Sequence, residues 1–281
     1  MSLRLRSDNW EAVLRAEIGG CLAALTCGGV EVLRTMPPGA THPLESACFP
    51  LVPWCNRIHG ARFEWQGREV SLPANFPPEP HSLHGLGWLQ PWTVTREAGF
   101  KCALEHRHEG SGGWPWPYIA EQRVRLGPKG CAITLDVTNR ADEPMPCGLG
   151  LHPYLRRAKW PQVRFSAEAM FEAGEDPLPT GALAPADAFG DWARGASLPE
   201  RTVDHCFAGW DGNAAVGDEL GRITMTARGA RFLHLYSPRD GSALCLEPVS
   251  HAPDAFNRAP GEMTLLPPGC TASLTMWISS G

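Results

Sequence analysis

Residues 131–139, CAITLDVTN, put Ile133, Leu135 and Val137 on one side of an extended chain and Thr134, Asp136 and Thr138 on the other. Side chains alternate across a strand with a period of two, so the segment reads as a strand with one buried face. The pattern recurs. YIAEQRVRL precedes it, and GPKG joins the two as a hairpin turn. ARFEWQGREVSL is a second hairpin, turning at Gln66-Gly67. RITMTARGARFLHLYSP and SALCLEPVS add strands, and TASLTMWIS points Ala272, Leu274, Met276 and Ile278 one way. No segment keeps a period of 3.6; the nearest helix candidate, APADAFGDWAR, is short and interrupted by Gly190. With 30 glycines and 27 prolines in 281 residues, turns dominate and long helices are excluded. The expectation is an all-β chain, one antiparallel β-sandwich domain over residues 1–281. Residues 166–203 form a turn-rich connection over one face.

The formal charge of −5 is small and spread without basic or acidic blocks, so nucleic acid is not an expected partner. No apolar run approaches the roughly 20 residues that span a bilayer, so no membrane partner is expected either. MSLRLRSDNWEAV lacks the apolar centre of a secretory signal, which makes the cytoplasm the expected compartment. Ten scattered cysteines, with no C-x-x-C pair, read as reduced thiols.

Several side chains stand out as candidates for chemistry. In GLGLHPYL, the glycines and Pro153 mark a strand end turning into a loop, with His152 at the turn. It reads as a core histidine, a ligand or a proton donor. In SALCLEPVS, Glu247 shares a strand face with Cys245, opposite Leu244 and Leu246. A carboxylate in so apolar a strand is either paired, with Arg57 or Arg258, or put to use. Asn56 and Arg57 sit in PWCNRIHG, where the guanidinium is a surface charge or a fixed fork for hydroxyls. In TVDHCF, alternation sends Asp204 and His205 to opposite faces. Trp114 and Trp116 are core aromatics or sugar-stacking faces; core is favoured, and Trp116 stays among the candidate substrate contacts. His81 and His84, and His106 and His108, have ligand-like spacings, but neither pair has an evident third ligand. EHRHEG reads as a solvated face, and no metal site is expected.

Taken together, NRIHGARF, LPANFPPEPHSLHG, GLGLHPYL, VDHCF and LEPVSHAPDAFN, in that order, resemble the aldose 1-epimerase (galactose mutarotase) family. The resemblance implies a large antiparallel β-supersandwich, a monosaccharide as small-molecule partner and no cofactor. It implies Glu247 as general base and His152 as general acid, with Arg57, His84 and Asp204 holding hydroxyls and ring oxygen. The chain departs from the galactose-type pattern at His81, in HGLGW, and at Pro248-Val249. Hexose-6-phosphate epimerases tend to carry arginine just after the HG motif, where this chain has Leu86, Gly87 and Trp88. The expected activity is therefore interconversion of the anomers of a free aldose such as glucose or galactose. A hexose-6-phosphate epimerase, a sugar sensor without turnover and a glycosidase using Glu247 and Asp204 are the alternatives.

Overall fold

The computed structural model describes residues 2–156, 158–174 and 178–281. Two large antiparallel sheets carry the chain, one of eleven strands and one of nine among the described residues. The hairpins read from the alternation are present. Tyr118–Gly127 pairs with Gly130–Asn139, which pairs in turn with the C-terminal strand Thr271–Ser280. Arg62–Trp65 turns back on Arg68–Ser71 through Gln66 and Gly67, both left-handed, as a tight two-residue hairpin demands. RITMTARGARFLHLYSP is two strands in different sheets: Gly221–Arg228 joins the nine-stranded sheet and Phe232–Ser237 the eleven-stranded one.

Two expectations are corrected. APADAFGDWAR, the nearest helix candidate, runs from a strand end at Ala184 and Pro185 into turns, and the α-helix among the described residues is the single turn Ala255–Arg258. Residues 166–203 are not a connection laid over a face. Ala169–Ala173 and Pro179–Pro185 extend the edge of the eleven-stranded sheet, and Ala196–Ser197 extends the nine-stranded one. The hairpin is mostly exposed, so it never shows the in–out alternation that marks a half-buried strand.

The larger sheet buries both faces, and this is what places the site. Leu22, Leu151, Leu233, Leu235 and Leu246 point into the core between the sheets, against Leu104, Ile133, Leu135 and Leu274. Their strand neighbours Cys21, Phe49, Phe232, Cys245 and Val249 point outward into a second apolar cluster. That cluster is roofed by Ile18, Met36, Leu83, Trp88 and Ala252. Polar side chains on this outer face are therefore buried under loops.

Candidate active site

Five neighbouring strands of the eleven-stranded sheet run Cys48–Leu51, Gly150–Pro153, Cys245–Val249, Phe232–Ser237, Val203–Ala208. Their outward faces present Phe49, His152, Glu247, His234 and Asp204. Register brings Phe49 opposite His152 and His234 opposite Glu247. Asp204 takes the outward side, and His205 turns the other way, onto Phe189 and Arg201, as alternation requires.

His152 does not sit at a turn. The chain stays extended past Pro153, with Tyr154 N–H donating to Ala47 O and Leu155 N–H to Leu244 O. Proline's fixed φ suits an extended chain, and only its missing donor weakens the pairing. The ring of His152 is held between Phe49 and Tyr154, at centroid distances of 4.6 and 4.7 Å, with His84 edge-on at 5.3 Å. Its Nε2 lies 3.2 Å from Glu247 Oε1, and both side chains are buried. Gly150 makes this packing possible. A Cβ there would stand 2.8 Å from Cys55 Sγ and 2.9 Å from Leu51 Cδ1 and Val249 Cγ1.

Burial pushes the Glu247 carboxyl up to about 8, with the Asp204 charge adding and the charges of His234 and Arg57 opposing. Burial also pushes His152 down to about 3, helped by the positive charges of His234 and Arg34. Burial thus disfavours charge on both groups, which favours a protonated Glu247 beside a neutral His152.

The histidinium is His234, which the sequence reading passed over. Its Nε2 donates to Asp204 Oδ1 at 2.6 Å. Burial works against its charge, but that hydrogen bond, the Cys206 thiol and the Asp204 charge raise it well above the ordinary histidine value. Burial also opposes ionisation of Asp204, and the His234 hydrogen bond outweighs it, leaving Asp204 below the usual aspartate value.

The loops supply the rest. Asn56 N–H donates to His84 Nδ1 (3.2 Å) and His84 N–H to Asn56 O (2.9 Å), while Asn56 Oδ1 accepts from Arg57 N–H (2.8 Å). This lock holds two non-glycine residues in left-handed backbone, φ 55° at Asn56 and 59° at His84. Such strain costs about 1–3 kcal/mol each and clusters at functional sites. Arg57 forks onto Glu79, Nε to Oε2 at 2.7 Å and NH2 to Oε1 at 2.9 Å. Glu79 is the second residue the sequence reading missed. The loop is tied to the end of the Glu247 strand: Cys55 N–H donates to His251 Nε2 (3.0 Å), and Asp254 N–H to Arg57 O (2.9 Å).

Three sequence readings are corrected here. Trp116 is 1% exposed and packs on Trp114 inside the inter-sheet core, with Arg68 over its ring, so it offers no face to a sugar. His106 and His108 are buried, not on a solvated face. They share the inward side of Lys101–His108, against Tyr118, while Glu105 and Arg107 pair outside. Glu247 lies against His152 while Arg57 forks onto Glu79, so the anticipated anchoring of Glu247 by Arg57 is not the contact that forms.

His84, His152 and Glu247 bring one ligand atom each within 4.8 Å, a spacing open to a metal ion. The tautomer of His84 argues otherwise. Because Nδ1 accepts a backbone N–H, the ring proton sits on Nε2, whereas a metal-ligating imidazole normally donates from its second nitrogen. Nε2–H of His84 is thus a neutral donor.

A buried carboxyl–imidazole pair beside fixed donors thus lies on the outer face of a two-sheet β fold. The chain belongs to the aldose 1-epimerase family, whose model matches residues 1–279. The uncharacterized protein YphB of Escherichia coli K12 is 34% identical over 246 residues, 80% of each chain. The galactose mutarotase of Mus musculus is 26% identical over 267 residues, covering 79% of this chain and 75% of that one. A solved E. coli K12 structure, provisionally described as an aldose 1-epimerase, superposes with a TM-score of 0.91 at 29% identity, covering 100% of this chain and 99% of that one.

Proposed function

We propose that this protein is an aldose 1-epimerase acting on a free, unphosphorylated aldose such as glucose or galactose, with Glu247 and His152 as its proton-transfer pair. The observation that carries the reading is the buried 3.2 Å contact between these two groups. Moving a proton from Glu247 to His152 arms the pair. Glu247 then takes the C1 hydroxyl proton as the C1–ring-oxygen bond breaks, and His152 protonates the departing ring oxygen. The open-chain aldehyde is left beside a protonated Glu247 and a neutral His152, which is the resting distribution of the site. After rotation about C1–C2, Glu247 returns its proton to the carbonyl oxygen, His152 takes the ring-oxygen proton, and the other anomer closes. His84 Nε2–H, Arg57 and Asp204 hold hydroxyls and ring oxygen, and Asn56 fixes the backbone of the first two. No electron or group is transferred, so no cofactor is invoked. One domain suffices, since the inter-sheet cluster draws on residues from Leu3 to Ile278. Ten free cysteines suit a reducing compartment such as the cytoplasm.

The test is polarimetry across free hexoses, pentoses and their phosphates, with and without chelator. Mutarotation of a free aldose above the spontaneous rate, unchanged by chelation, is expected. No acceleration with any sugar overturns the reading. Loss on chelation, restored by one divalent ion, turns the His84–His152–Glu247 group into a metal site.

A further inference from the structure

We propose that Glu79 is a specificity residue: by occupying the guanidinium fork of Arg57, it closes the site to anionic sugars and reserves it for neutral aldoses. The inference rests on the reading above and names the substrate class more narrowly. Arginine is the side chain best shaped to take a phosphate or carboxylate, because its two parallel N–H groups match two oxygens. Here both bonds already end on Glu79, and the side chains are only 12% and 24% exposed, so solvent does little to loosen them.

The loop carrying Glu79 is itself pinned. Glu79 N–H donates to Phe76 O, and the Asn75 carboxamide bonds both N–H and C=O of Leu83 and the carbonyl of Gly85. Glu79 is thus built into the Arg57 environment, with no second loop arrangement needed to bring it there.

The same accounting covers the other cation. Among the described residues, the cations whose charges act on Glu247 are His234 and Arg57. His234 is matched by Asp204 and Arg57 by Glu79. Arg34, whose charge reaches His152, lies on the Tyr154 ring and donates to the carbonyls of Ser46 and Leu44. An anionic substrate would meet cations already neutralised, and a negative Glu79 beside the most suitable of them. A neutral polyol asks for no net charge and can still use the outward oxygens and N–H groups.

Two measurements on Glu79→Gln and the wild type test this. Polarimetry gives kcat/KM for a neutral aldose, its 6-phosphate and its uronate. Calorimetry gives the affinity for inorganic phosphate, with no turnover required. Glutamine keeps the shape while removing the charge, so the ratio of anionic to neutral kcat/KM should rise about tenfold or more, and phosphate should bind more tightly by a similar factor. A variant that is merely destabilised lowers all three sugars together. Unchanged ratios and unchanged phosphate affinity overturn the role of Glu79. A wild type without mutarotase activity overturns the functional reading instead, and phosphate binding then still decides whether Glu79 excludes anions.

Discussion

At the scale of single residues, burial favours the neutral forms of Glu247 and His152, and a hydrogen bond sustains the charges of His234 and Asp204. Glu247→Gln keeps the shape of the group but cannot accept the C1 hydroxyl proton. It should lower kcat about 10²- to 10⁴-fold with little change in KM. The wild-type profile carries its own signature. The neutral pair is lost when Glu247 ionises, so kcat/KM should fall as pH rises through about 8. It should hold level down to the pH at which the fold itself gives way, because the second proton enters His152 only near 3. Polarimetry corrected for spontaneous mutarotation measures both limbs; an acid limb near pH 6.5 instead would mean that His152 titrates like an ordinary histidine. Two residues escaped the sequence for different reasons. His234 carries a usable signal: Asp240-Gly241 is a turn dipeptide centred between His234 and Glu247, so folding the chain about it predicts their pairing. Glu79 carries none, because it meets Arg57 through loop geometry that no periodicity encodes.

At the scale of the element, the strand Gly150–Pro153 shows how tightly chemistry and packing are joined. Gly150→Ala should cost about 1–3 kcal/mol, since the added methyl meets three side chains on two neighbouring strands and the loop. Denaturant unfolding measures the loss, and a cost near zero would mean that these neighbours give way freely. Much of the fold was legible at this scale. Period-two runs located the hairpins, and alternation correctly separated Asp204 from His205 and Glu247 from Leu246. Two errors arose where composition was read in place of strand pattern. EHRHEG is charged, yet its alternate residues His106 and His108 face inward. Residues 166–203 are rich in turn formers, yet they pair as exposed edge strands, where the hydrophobic alternation that marks a strand is absent. For the site, the sequence supplied the side chains, and the order of the five strands supplied their assembly. Apart from the hairpin of Phe232–Ser237 with Cys245–Val249, that order is non-local, with neighbours drawn from distant parts of the chain.

At the scale of the whole molecule, stability should depend steeply on acid. His84, His106, His108, His152, His205 and His251 are all held below the ordinary histidine value, chiefly by burial. Below about pH 6.5 the unfolded chain binds protons at these positions that the folded chain refuses, so stability is lost as pH falls. Glu247 and His234 act in the opposite sense. Their raised values add stability at low pH that disappears as pH rises through them, but they are two groups against six. The midpoint of denaturant unfolding should therefore drop clearly between about pH 7.5 and 5.5. A midpoint that rises toward acid would contradict the neutral burial of these histidines.

The division between strand-borne and loop-borne residues has a consequence for descent. The proposed proton transfer rests on Glu247 and His152, which adjoining strands of a sheet buried on both faces hold in register; a slip of one residue would turn both into the inter-sheet core. The proposed charge selection rests on Glu79, carried by a connection that belongs to neither large sheet, so changes there leave strand register intact. A lineage built on this plan can change its diet by rewriting a loop while the proton relay is inherited untouched.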